Sequence, residues 1–212
     1  FESPASNGNI GTALRDAATG AIIWSTFAAS GSDVGRGVTM DIDPRYPGAE
    51  AWATNNSNIY SAAGAVIATK PSNMFHNFGL WWDADLLREL LDNTTVSKWN
   101  YTTSGRSNIF QPWEHGATSN NGTKATPALS GDILGDWREE IVYRNTTSTA
   151  LLVFTTTTSA TNRLRTFAHD PQYRVALAWQ NVGYNQPPHP SFFVGADMAA
   201  PPMPNIRTDP IT

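Results

Sequence analysis

Three short stretches of the chain group acidic residues in one order. Asp41 and Asp43 are followed by Glu50, Asp83 and Asp85 by Glu89, and Asp132 and Asp136 by Glu140. Each time an apolar run ends in two close aspartates, and a glutamate opens the next apolar run. Clustered carboxylates in a loop are the hard oxygen ligands that calcium takes, completed by carbonyls and water. Aspartates in turns also cap backbone amides with no ion present. One such loop favours capping; three in the same order favour calcium in at least one. Three bound ions would reverse the sign of the formal charge of −4 and let the protein accept an anionic polymer.

A second set of residues is polar and points to sugar. Lys124, one of three lysines, lies in Thr118-Ser-Asn-Asn-Gly-Thr-Lys124-Ala-Thr-Pro127. Asn121, Gly122 and Thr123 stand directly before it, and short polar side chains around a glycine make a sugar-contacting loop. Arg36 stands between Gly35 and Gly37, ahead of an apolar strand. Tyr184 and His189 share the polar-aromatic loop Gly183-Tyr-Asn-Gln-Pro-Pro-His189. His189 and His115 lie near these motifs and within reach of the same ligand.

The elements that must position these residues are strands. The leading aspartates, Asp41, Asp83 and Asp132, recur at the length of a four-stranded propeller blade, roughly 40–50 residues. Asp16-Ala-Ala-Thr-Gly20 and the segment Asn58 to Gly64 each read as a hairpin turn between strands. The leucine spacing from Asp83 to Leu91 also suits a helical turn, but its place in the repeat predicts loop and strand. Tyr173 to Val194 is expected to return along a neighbouring blade. The fold class is therefore all-β, a β-propeller, with about four blades over residues 1–198 and a proline-rich tail over 199–212. Arg36 and Lys124 both precede a blade's first strand, so both belong at one end of the propeller near its axis. Most of the eight tryptophans, Trp52, Trp137 and Trp179 among them, fall in strand patterns as core.

Composition removes other classes. The 212 residues carry 15% charged side chains, below the ~25% of ordinary soluble domains. Lysines and arginines number 14 and form no cluster, which argues against nucleic acid. No apolar run approaches the ~20 residues of a membrane span. With no cysteine there is no disulfide, thiolate nucleophile or cysteine-ligated zinc. The four histidines lack a paired zinc spacing, and no serine nucleophile signature occurs. Sequons at Asn55, Asn93, Asn100, Asn121 and Asn145 lean toward a secreted, extracellular protein. The chain starts at Phe1, which reads as a processed or partial chain.

The stretches "SNNGTKATPAL", "GDILGDWREEIVYR", "WQNVGYNQPPHPSFF", "GRGVTMDIDP" and "WWDADLLRELLD" resemble the rhamnogalacturonan lyases of polysaccharide lyase family 11. The likeness runs from about Gly11 to Met198 and matches only the C-terminal half of that family. It implies an eight-bladed propeller stabilised by calcium, whose remaining blades come from the same precursor. It implies β-elimination cleavage of rhamnogalacturonan I, the pectic polysaccharide, at galacturonic acid. By motif, Arg36 and Lys124 correspond to the catalytic pair, Asn121, Gly122 and Thr123 to sugar contacts, and Tyr184 to a residue beside the substrate.

On that resemblance, calcium and Arg36 would stabilise the enolate-like charge, and Lys124 would take the C5 proton. Tyr184 would donate to the leaving oxygen or pack against a ring. A second reading is a non-catalytic, calcium-stabilised carbohydrate-binding propeller, and a third an adhesion module. The joint presence of Arg36 and Lys124 argues against the second, and the third would predict exposed interaction loops rather than the Asn121-to-Lys124 cluster.

Overall fold

The computed structural model describes residues 11–27, 35–54, 56–182, 186–201 and 203–204. β1 (Thr12–Arg15) and β2 (Ile22–Thr26) form an antiparallel hairpin. Its turn is the expected one. Asp16 Oδ1 accepts the amides of Ala18 and Thr19 at 3.1 and 2.8 Å. Gly20 closes the turn at φ 74°, a conformation open to glycine without a Cβ penalty.

Two four-stranded antiparallel meanders follow. The first contains β3 (Gly37–Met40), β4 (Glu50–Ala53), β5 (Asn58–Tyr60) and β6 (Val66–Thr69). The second contains β7 (Phe78–Leu80), β8 (Glu89–Asp92), β9 (Thr95–Asn100) and β10 (Gly105–Phe110). The stretch from Asp83 to Leu91 is thus loop and strand. A third sheet joins β11 (Ala117–Thr118), β12 (Leu129–Gly131), β13 (Glu140–Asn145) and β14 (Leu151–Phe154). In it β11 takes up the edge of β13 that β12 leaves, and β14 holds the other edge.

The core lies between successive sheets. Val38, Met40, Ile42, Trp52 and Ile59 of the first pack against Leu90 and Trp99 of the second. Phe78, Leu80, Leu91 and Val96 of the second pack against Ile141 and Tyr143 of the third. Close approach needs Gly79, where a Cβ would fall 1.8 Å from Met40 Sδ. The β1–β2 hairpin is tied to the first sheet by Trp24, which stacks on Tyr60 at 5.2 Å and donates to the Ala62 carbonyl at 3.1 Å.

Two expectations give way. The segment after the third sheet does not return as strands: Pro171–Trp179 is a helix, α1. Pro171 suits its first turn, where a missing N–H costs nothing. Tyr173 and Ala176 bury one face, and Leu177 lies against Gly131 of β12. Trp52 and Trp137 are core as expected, but Trp179 stands exposed on this helix. No helix among the described residues is long and apolar enough to cross a membrane.

The repeat is also set by the glutamates, not the leading aspartates. Met40 faces Glu50, Leu80 faces Glu89 and Gly131 faces Glu140. Each glutamate accepts two consecutive amides of the loop before it: Ile42 and Asp43 (3.0 and 3.1 Å), Trp82 and Asp83 (2.7 and 3.2 Å), Ile133 and Leu134 (both 2.9 Å). In that register Asp41 matches Trp81 and Asp132, while Asp43 matches Asp83 and Leu134. The aspartates alternate between two positions because the glutamate alone makes the invariant backbone contact.

Candidate active site and acidic loops

Arg36 before β3, Asn77 before β7 and the Lys124 loop before β12 meet at one end of these strands. Arg36, directly before β3, is fixed by Thr54: their backbones bond at 2.7 Å, and the Arg36 amide donates to Thr54 Oγ1 at 3.1 Å. Its guanidinium crosses to the Lys124 loop. Nη1 donates to the Lys124 carbonyl at 3.0 Å and to Asn77 Oδ1, and Nη2 reaches the Thr123 carbonyl at 3.5 Å.

The Lys124 loop is a closed turn. Asn120 and Thr126 exchange backbone bonds at 2.7 and 3.1 Å. Inside it the amides of Lys124 and Ala125 both donate to the Asn121 carbonyl, at 2.9 and 2.7 Å. Asn121 sits at φ 53°, a left-handed conformation that asparagine tolerates better than most residues. Asn121, Gly122 and Thr123 are exposed and Lys124 is half-buried. Five of the sequence-selected residues therefore form one cluster. Tyr184 lies outside the described residues.

Asn77 is the residue that sequence reasoning missed. It is buried and stands directly before β7. Its Nδ2 donates to the carbonyls of Lys124 (2.7 Å) and Ala125 (3.2 Å) and to Asp92 Oδ1 (3.1 Å), while its Oδ1 accepts from Arg36. The signal was positional: Asn77 starts the second inner strand as Arg36 starts the first. Beside it, burial raises the Asp92 carboxyl above its ordinary range, and burial lowers the His76 imidazolium. Removing a buried amide with this many partners leaves several polar groups unsatisfied, at about 1–3 kcal/mol. Asn77→Ala is expected to lower the urea midpoint accordingly and to speed amide exchange at Lys124 and Thr126. An unchanged midpoint with unchanged exchange would contradict this role.

His189 lines a cavity with Gly37, next to Arg36, and contacts a buried arginine. Its Nδ1 faces the Arg88 guanidinium at 3.2 Å. Arg88, only 2% exposed, also donates to Gly79 O (2.7 Å), Pro188 O (3.1 Å) and Glu139 Oε2 (3.2 Å), and lies 4.1 Å over the Trp81 ring. Tyr173 completes the network by donating to Glu139 Oε1 at 2.6 Å. Burial, and then Arg88, push the His189 pKa down to about 3. The fold thus keeps neutral a group that an unfolded chain protonates near 6.5. Its contribution to stability is complete above that value and is lost as pH falls toward 3. Urea unfolding followed from neutral to acid pH is expected to show this loss, with a shallower fall in His189→Gln.

The acidic loops lie at the other end. They follow β3, β7 and β12, whereas Arg36 and Asn77 precede β3 and β7, so a strand about 10–13 Å long, at ~3.3 Å per residue, separates the two sets. The three triplets differ. Asp83, Asp85 and Glu89 bring one oxygen each within 4.8 Å of one another, the one such group among the described residues. Lys98 Nζ already touches all three, at 2.7, 2.7 and 2.6 Å. In the first triplet Arg45 grips Asp43 at 2.8 and 2.6 Å, and Asp41 Oδ2 accepts from Ala196 at 2.6 Å. Asp41 Oδ1 and Glu50 Oε1 remain buried with no hydrogen-bond partner among the described residues. Burial raises Asp41 to about 6 and Glu50 to about 8. Two orphaned acidic oxygens fit a cation. In the third triplet every oxygen of Asp132 and Glu140 is engaged by the protein, and Asp136 pairs with Arg138. That loop is braced by amides, hydroxyls and an arginine, the capping role that aspartates also play without an ion.

Stacked antiparallel sheets presenting an arginine, a buried amide and a lysine loop at one end define an all-β protein with a polar site where β3, β7 and β12 begin. The description "Rhamnogalacturonan lyase family 11, C-terminal domain" matches residues 2–204. The chain therefore belongs to the family 11 rhamnogalacturonan lyases. It is 53% identical over 203 residues to rhamnogalacturonan endolyase YesW of Bacillus subtilis (strain 168), covering 95% of this chain and 32% of that protein. It is 43% identical over 212 residues to rhamnogalacturonan exolyase YesX of the same organism, covering 92% and 34%. The crystal structure of YesW superposes with a TM-score of 0.89 at 52% identity, over 97% of this chain and 34% of that one. The Bacillus licheniformis rhamnogalacturonan lyase PL11 gives 0.88 at 53%, over 96% and 34%. The chain spans about a third of the length of these relatives.

Proposed function

We propose that this chain supplies the Arg36–Lys124 side of a cleft that cleaves rhamnogalacturonan I by β-elimination at galacturonic acid. The observation that carries the reading is the Arg36 guanidinium held on the carbonyls of Thr123 and Lys124. Residues far apart in sequence, both singled out by their motifs, meet there.

The three sheets serve as blades of an eight-bladed, secreted propeller, and the remaining blades complete the cleft. Arg36 uses Nη1 and one side of Nη2 to hold the loop. This leaves the Nε and Nη2 edge for a substrate carboxylate, which takes two parallel bonds. The fixed positive charge stabilises the negative charge that develops when C5, α to that carboxylate, loses its proton. Lys124 Nζ accepts the proton. The C5–H electron pair forms the C4–C5 double bond, and the C4–O4 bond breaks toward the leaving sugar. Tyr184, by the correspondence of its motif, would protonate the leaving oxygen or pack against a sugar ring. Asn121, Gly122 and Thr123 offer the exposed polar surface for sugar hydroxyls.

Calcium would have a structural place in the first acidic loop, in keeping with the stabilising role that the resemblance implies. Asp41 and Glu50 would hold it, where it would neutralise two buried carboxylates and brace the loop. That is a strand's length from Arg36, so these loops give no support to calcium as the Lewis acid on the same carboxylate. The test of the function is digestion of rhamnogalacturonan I. Elimination makes a conjugated uronate and raises ultraviolet absorbance in step with new chain ends; new ends without absorbance would mean hydrolysis.

A further inference from the structure

The second acidic loop gathers ligands as a metal site does, yet a side chain already fills its centre. Lys98 comes from β9. Leu90 faces Ser97 across the ladder, so Lys98 falls one step on, beside Glu89. Its ammonium has three N–H donors, and three carboxylates surround it at 2.6–2.7 Å. The other Glu89 oxygen holds the amides of Trp82 and Asp83.

The equivalent position in the other sheets explains why the loops differ. In the third sheet Ile141 faces Phe154, which brings Thr155 beside Glu140, and the Thr155 hydroxyl donates to Glu140 Oε1 at 3.1 Å. In the first sheet Ala51 faces Tyr60, which brings Ser61 beside Glu50. Ser61 Oγ is turned to the amide of Ala65, and Glu50 Oε1 stays without a partner. One strand position therefore presents a serine, a lysine and a threonine to three equivalent glutamates. The outcomes are an orphaned oxygen, an internal ion pair and a neutral hydrogen bond.

We propose that Lys98 is the resident cation of the second loop, which therefore takes no calcium, and that the residue facing the glutamate decides each loop's demand for an ion. A second cation in the Asp83, Asp85 and Glu89 cluster would first have to expel the ammonium and expose its stem.

The experiment counts ions by native mass spectrometry after equilibration with calcium, together with melting in calcium and in EGTA. The Asp83→Asn/Asp85→Asn variant is expected to bind as many calcium ions as the parent. Lys98→Ser, which copies the first sheet, is expected to gain one ion and to show a larger drop in melting temperature with EGTA. Lys98→Arg is expected to keep the parent count, which guards against poor folding of the serine variant. Loss of one ion in Asp83→Asn/Asp85→Asn would overturn the proposal, as would a Lys98→Ser variant that folds and gains none.

Discussion

Lys124→Ala is expected to lower the rate of unsaturated-product formation by about 10²–10⁴-fold, the range for loss of a positioned general base. The side chain is half-buried, and Asn77 and Arg36 hold the loop through its backbone. Asn77 and Arg36 both donate to the Lys124 carbonyl, which alanine keeps. The substitution therefore removes the base while leaving the loop and the arginine in place. Urea unfolding of the variant should remain a single cooperative transition, so that lost rate is not lost fold. Substrate should bind with little change, because Arg36 and the Asn121-to-Thr123 surface remain. A variant with parental rate would remove Lys124 from the mechanism. A variant that loses binding and rate together would make it a binding residue instead.

Arg88→Ala should produce the largest loss of stability, about 3–5 kcal/mol, the cost of stranding a buried charge. Glu139 is fully buried and its Oε2 is shared by Arg88 and the Trp81 amide. Without the guanidinium, the carboxylate loses its counter-charge, the Gly79 and Pro188 carbonyls lose their donor, and Trp81 loses the cation above its ring. Arg88→Lys keeps the charge but cannot reach four partners in one plane, so it should recover only part of the loss. Arg88→Met with Glu139→Gln should be more stable than Arg88→Ala, because no buried charge is left alone. Urea midpoints of the three variants decide the matter. A double variant no better than Arg88→Ala would mean that packing, not charge, dominates at this point.

The strand repeat was legible because the invariant glutamate contact forces a strand, a short loop and a strand each time. Its register was not, because Asp41 and Asp83 occupy different positions in equivalent loops. Arg36 and the Asn121-to-Lys124 stretch stood out through rare charge and glycine context. Asn77 carried neither, and only the start of β7 marks it. The helix α1 had its signal in Asp170-Pro171 followed by Tyr173, Ala176 and Leu177, which the expectation of strands overrode. The three triplets looked alike in sequence because the deciding residues, Ser61, Lys98 and Thr155, sit on the next strand. Their approach to Glu50, Glu89 and Glu140 depends on ladder register, which acidic spacing does not encode. Sequence does not show that His189 Nδ1 meets Arg88, because the two are brought together only by the fold.

The central claim is that the site at Arg36 and Lys124 performs an elimination, and the masses of the product chains test it most directly. Cleaving a defined rhamnogalacturonan I oligosaccharide by elimination gives two fragments whose masses sum to that of the substrate, one carrying the C4–C5 double bond. This sum is expected for the complete protein, and no fragments for its Lys124→Ala variant. Fragments that sum to the substrate plus one water would show hydrolysis and contradict it.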